Sequence, residues 1–158
     1  MADLRDKLET LNTYIGFREP PIDVVGLANL LGIKVYDAPW PESVSGKIQK
    51  DERKGGSSGF AIFVRESDPE TRKRFTIAHE IAHYVLHEHL IGDGVFDDAM
   101  YRSGLASNVE RQANNLAADI LMPWSYLTPM INGKTAKDLA ETFNVSEQAM
   151  QVRLGIFA

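Results

Sequence analysis

The sequence predicts an α+β fold: a small, mostly antiparallel sheet packed on two long helices, closed by a helical pair at the C-terminal end. Three observations predict it. Short β-branched and aromatic runs cluster before residue 66, helical periodicity follows from Pro69 to about His89 and again from Ser107 or Asn108 to Leu121, and two short capped stretches end the chain. With 158 residues and 44% hydrophobic content there is enough apolar material for one core and hardly for two. Residues 1–158 are therefore expected to form a single domain: an N-terminal helix in 1–19, a central core over 20–123, and a C-terminal segment over 133–158.

Leu4, Leu8, Leu11 and Ile15 recur at helical spacing, so 3–15 is expected to be an amphipathic helix ending near Gly16 and Pro20-Pro21, serving as core or as a partner surface. Asp23 caps a short buried helix that stops at Gly32. Strands are expected at 33–36, 44–49 and 60–65, the last two joined through the glycine-rich stretch 50–59. Ser67 or Asp68 before Pro69 starts a helix that runs to about His89. Residues 92–106 read as loop. Ser107 or Asn108 then opens a helix with an apolar stripe of Val109, Ala113, Leu116, Ala117, Ile120 and Leu121, halted by Pro123.

Composition narrows the function classes. There are no cysteines, so disulfides and thiolate metal sites are excluded and any metal must rely on His, Asp and Glu. The net charge of -5, from 22 acidic and 17 basic residues, argues against direct nucleic-acid binding. No apolar run reaches bilayer-spanning length and the N-terminus lacks a secretory pattern, so no membrane association and a cytoplasmic location are expected.

The run His79-Glu80-Ile81-Ala82-His83 carries the chemistry. Four residues apart on a helix, His79 and His83 stand one turn above each other and can offer two imidazoles to one ion, with Glu80 beside it as the general base. Catalytic zinc uses three protein ligands and keeps one position open, where it acidifies a water to a pKa of roughly 7. All four histidines fall between His79 and His89. His79 and His87 are about 12 Å apart along a helix axis, too far to share an ion easily. His87 therefore reads as a hydrogen-bond partner behind a ligand, or as solvent-facing. His89 stands at the third-ligand position of HExxHxxGxxH, but Leu86 replaces the turn-forming Gly and keeps His89 pointing away.

A carboxylate from the next helix is the other solution, and Glu110 is the best placed. Asn114, one turn later on the same face, is a candidate to orient a ligand. Ser107-x-x-Glu110 is equally a capping-box spacing, in which Glu110 would only satisfy a helix terminus. Asp119, Asp97, Asp98 and Glu88 are the fallback ligands. Tyr84 and Tyr101 are candidate oxyanion donors. The strand 60–65 is read either as an exposed edge that accepts an extended peptide or as an ordinary core strand.

The stretches Arg74-Phe75-Thr76-Ile77-Ala78-His79-Glu80-Ile81-Ala82-His83-Tyr84-Val85-Leu86-His87 and Glu110 to Pro123 together resemble the ImmA/IrrE family of metallo-endopeptidases. The resemblance covers roughly residues 20–123 and, more loosely, the C-terminal segment. Leu116 and Asp119 stand where members usually carry Phe and Glu. It implies His79, His83 and Glu110 as zinc ligands, Glu80 as the base, one Zn2+ per chain, and a bacterial or phage protein that cleaves a specific helix-turn-helix (Xre-like) repressor to derepress genes. Manganese and iron take the same donors and stay open as alternatives. The competing reading is a non-proteolytic interaction protein, such as a toxin-antitoxin component that binds a repressor encoded nearby.

Thr135–Thr142 and Ser146–Leu154 read as two capped helices resembling a helix-turn-helix unit. Arg153 is the lone basic residue of the second helix, too little for phosphate contacts, so packing or partner binding is expected there.

Overall fold

In the computed structural model the described residues are 3–41, 44–91 and 105–156, with only backbone described at 105 and 106. Tyr101, Asp97 and Asp98, and nearly all of the loop expected at 92–106, lie outside them. The elements are α1 (Leu4–Gly16), α2 (Val24–Leu30), β1 (Ile33–Ala38), β2 (Gly46–Lys50), β3 (Phe60–Arg65), α3 (Glu70–His87), α4 (Leu105–Leu121), α5 (Trp124–Leu127), α6 (Ala136–Phe143) and α7 (Glu147–Leu154). The fold is α+β, as expected.

Local chemistry sets the ends of these elements. Asp3 and Asp23 cap α1 and α2 by accepting from the Asp6 and Gly26 N–H groups. Thr135 and Asp138 form a reciprocal capping box at α6, and Ser146 caps α7. Asn144 takes the left-handed conformation between α6 and α7, with φ 53°, which the short polar side chain of Asn tolerates. α3 gives way at His87 to a 3-10 turn over Glu88–Leu90, so the helical segment does not run regularly to His89.

The sheet is mixed rather than mostly antiparallel. Its order is β1-β3-β2, with β1 parallel to β3 and β2 antiparallel to it. β2 and β3 form a hairpin, and β2 lies on the side of β3 opposite β1. β1 and β3 are left to meet side by side in the same direction. β3 is therefore the central strand, and reading 60–65 as an exposed edge is corrected: among the described residues the open edge nearest α3 belongs to β2. A central strand covered on both faces needs no polar alternation, which is why Phe60 to Val64 are all buried. Phe60, Ile62 and Val64 face the main core; Ala61 and Phe63 pack under Tyr36 and Trp40.

α3 lies between the sheet and α4. Ile77, Ile81 and Val85 join Ile48, Phe60 and Ile62 in the core, with Ile120 and Leu121 from α4. Ala78 and Ala82 on α3 and Ala113 and Ala117 on α4 are fully buried, and such small side chains let two helices approach closely. α1 is core rather than partner surface: Leu11, Tyr14 and Ile15 are buried, and Lys7 donates to the Tyr84 carbonyl at 3.0 Å and pairs with Glu88 at the end of α3. Two arginines tie the C-terminal helices down. Arg74 of α3 donates to the carbonyls of Ile22, Phe143 and Asn144, and Arg153 of α7 donates twice to the Met122 carbonyl. No described helix is long and apolar enough to cross a membrane.

Candidate metal centre

His79 and His83 sit one turn apart on α3, and Glu110 reaches them from the second turn of α4. The two Nε2 atoms are 3.1 Å apart; His83 Nε2 is 2.9 Å from Glu110 Oε1 and His79 Nε2 is 3.1 Å from Glu110 Oε2. One donor atom from each residue lies within 4.8 Å of the others. α4 is already helical at Leu105, so Ser107 and Glu110 lie inside it and the capping-box reading of Glu110 falls away.

What stands behind these atoms fixes their protonation. Asn114 Oδ1 is 2.8 Å from His79 Nδ1; an amide oxygen only accepts, so Nδ1–H donates and the Nε2 of neutral His79 is bare. His87 Nε2 is 2.8 Å from Gln112 Oε1 by the same logic, which makes His87 Nδ1 an acceptor for the Nδ1–H of His83, 3.0 Å away. The Nε2 of neutral His83 then carries no proton either. Two imidazole lone pairs and a carboxylate thus face one another, an arrangement that needs a shared proton or a cation between them. The donor set suits a zinc-like ion, and outward-donating Nδ1–H groups are the usual support for histidine ligands.

The electrostatics agree. Hydrogen bonds with His79 and His83 hold the Glu110 carboxyl well below its ordinary range. Burial works to lower the His79 imidazole, but the Glu110 hydrogen bond and the charges of Glu80 and Glu110 leave it raised. Burial lowers His83, which is 1% exposed, and Glu110 opposes this only in part. Glu80 is buried, and desolvation pushes its carboxyl up to about 7, with the His79 charge opposing and Glu110 reinforcing. A bound cation would reverse that push, because it is the largest local charge.

A cleft of about 1260 Å³ opens over the cluster, lined by the start of β2 on one side and by α4 and α7 on the other. At Gly46 β2 runs close against α3. A Cβ there would stand 2.3 Å from Thr76 Cγ2, 3.1 Å from the Phe63 carbonyl oxygen and 3.6 Å from Glu80 Oε2.

The other expected residues are placed elsewhere. Tyr84, one position past His83 and so about 100° around the helix, packs into the core with its ring 5.3 Å from Phe60; it is not in the cleft. Glu88 pairs with Lys7 and Asp119 with Arg153. His89 is exposed in the 3-10 turn, outside the cluster. Gln112 and Gly46 were not legible as functional. Gln112 is about 200° around the helix from Glu110, and the spacing of His87 two turns from His79 was the one hint of a further partner.

A family profile for the IrrE N-terminal-like domain, Peptidase_M78, matches residues 28–155. No protein with curated annotation matches the chain. Among solved structures, a chain described as a Mycobacterium tuberculosis transcriptional regulator superposes with a TM-score of 0.65 at 15% identity, over 98% of this chain and 47% of that one. At that identity the likeness is one of fold, and this chain spans about half the length of the regulator. With the profile covering most of its length, the chain belongs to the IrrE N-terminal-like domain family of peptidases.

Proposed function

We propose that this protein is a zinc-dependent endopeptidase that cleaves a specific helix-turn-helix repressor. The observation that carries the reading is Glu80: a buried carboxylate with a raised proton affinity, next to a two-histidine, one-carboxylate cluster and at the floor of a cleft. Structural carboxylates are rarely buried without a partner cation, and a cation held at the cluster would return this one to the charged form that a general base needs. His79, His83 and Glu110 would hold the zinc, which supplies polarisation of the scissile carbonyl and acidification of water. Asn114 and the His87–Gln112 pair keep the two imidazoles oriented. Glu80 takes the proton of the attacking water and passes it to the leaving amine.

The backbone of β2 positions the peptide. The Arg65 N–H donates to the Ser45 carbonyl at 2.8 Å, and the Asp51 N–H to the Gly59 carbonyl at 2.9 Å, so odd-numbered residues bond β3. By antiparallel alternation Gly46 and Ile48 turn their N–H and C=O groups to the open edge, where an extended substrate can add as a further strand across Glu80. The repressor class rests on the family resemblance. Direct DNA contact is not part of the proposal, because Arg153 is spent on Met122, Asp119 and the Trp124 ring.

Co-expression with a genomically adjacent helix-turn-helix repressor tests the reading. The parent protein with zinc should yield repressor fragments, and Glu80→Gln should leave the repressor intact while retaining its zinc. A stoichiometric complex without fragments would favour the interaction-protein reading instead.

A further inference from the structure

The second helix of the C-terminal pair, expected from the sequence to serve packing or partner binding, forms a wall of the cleft. Val145 and, from α7, Ala149 and Val152 face the same space as Phe75 of α3, Ala118 of α4 and Met122 just past it. Phe75 lies one turn before His79, its ring stacked on that imidazole at 6.4 Å, and Ala118 lies one turn after Asn114. The apolar surface is therefore continuous with the metal cluster, on the side toward the N-terminus of α3. It is also held in place. Arg153 fixes α7 to the end of α4 through the Met122 carbonyl at 2.9 Å and 3.1 Å, and Arg74 grips the α6–α7 turn through the carbonyls of Phe143 and Asn144. An anchored wall selects by shape, since little ordering is needed when a side chain enters.

From this we infer that α7 is the specificity wall of the peptidase: with Phe75, Ala118 and Met122 it forms a pocket for one large apolar side chain of the substrate, beside the scissile bond. The inference rests on the peptidase reading and deepens it by naming what the site selects. The occupant is an extended peptide carrying Leu, Met or Phe at that position. A peptide laid along the open edge of β2 has alternate side chains pointing away from the strand plane, and one of them crosses into the space between α3 and α7. Arg72 and Arg153 also line the cleft, but Arg72 is held by Ser45 and Asp68 and Arg153 by the Met122 carbonyl and Asp119, so burying a charged side chain against the apolar wall is unfavourable.

The probe is a pool of capped decapeptides randomised at its central positions, incubated with zinc-loaded protein and read by mass spectrometry. Parent cuts should share Leu, Met or Phe at one fixed position within two residues of the broken bond. Ala149→Phe fills the pocket, so the preference at that position should move to Gly, Ala or Ser by about tenfold or more. Val152 is 60% exposed and tolerates replacement, so Val152→Glu should instead raise cleavage at Lys or Arg there. Unchanged zinc content and melting temperature would show that both variants fold. Cleavage by the parent with no shared apolar position, or the same preference in both variants, would overturn the pocket. If the parent cuts nothing in the pool or in the repressor, the peptidase reading is the part that fails. The pocket is then read alone: acetyl-leucine methylamide should shift the methyl resonances of Ala149 and Val152 and acetyl-aspartate methylamide should not, and equal effects would overturn it.

Discussion

Glu80 is the residue whose environment says most about what it does. Its carboxyl sits at about 7, against an ordinary 4.5, because burial disfavours the charged form. The folded, metal-free protein therefore holds this proton more tightly than the unfolded chain. The stability contributed by that proton is fully present below pH 4.5 and is lost as the pH rises through about 7. Glu80→Gln removes the titration, so in metal-free protein the variant should gain on the parent between those values, by on the order of 3 kcal/mol at most. Denaturant unfolding at pH 4.5 and pH 8.5, with chelator present, measures this; equal differences at both pH values would contradict the burial argument. His87 makes the second residue-scale prediction. Without it the Nδ1–H of His83 loses the His87 acceptor 3.0 Å away, so His87→Ala should weaken zinc binding by about 10- to 100-fold. Competition with a colorimetric chelator reads it, and an unchanged affinity would show that the relay through Gln112 does not support His83.

At the scale of elements, the approach of β2 to α3 is set by the missing side chain at Gly46. Gly46→Val would drive a methyl-bearing carbon into Thr76, and overpacking of this kind costs about 1–3 kcal/mol. Thr76→Ala removes the Cγ2 that stands 2.3 Å from the position of that Cβ, so the double variant should recover part of the loss. Thermal unfolding of the four proteins in the cycle decides it, and strict additivity would mean that the two residues do not meet. Many helix spans and caps were legible because capping and apolar periodicity are local: Asp23, Thr135, Ser146 and the stripe from Val109 to Leu121 are read directly from spacing, whereas α4 is already helical before the expected start at Ser107 or Asn108 and neither Ser67 nor Asp68 caps α3. Strand pairing was less legible. The run 60–65 has the same composition whether it lies at an edge or in the middle of a sheet, and only the pairing with both β1 and β2 makes it central.

For the whole molecule, the cluster joins α3 to α4 across the core, so a metal held there binds the folded chain and not the unfolded one. At a free zinc concentration about 100-fold above the dissociation constant the native state should gain about 2.7 kcal/mol. Melting temperature followed against zinc concentration would show this gain in the parent, and His79→Ala should abolish most of it. A parent protein that melts identically with and without zinc would argue that the three donors do not act together.

The sequence by itself determined the chemistry of the donors and their local geometry: a helix carrying His79, Glu80 and His83 on adjacent turns, and a second helix carrying Glu110 and Asn114 on one face. Residues three or four apart share a helix face whatever surrounds them. Tertiary structure alone decided which residues from distant segments meet. It brought Gln112 to His87, withdrew Tyr84 into the core and Asp119 onto Arg153, exchanged β3 for β2 as the open edge, and set α7 as a wall of the cleft. These are contacts between elements, and they depend on how the helices and the sheet turn toward each other, which the spacing within any one segment does not encode.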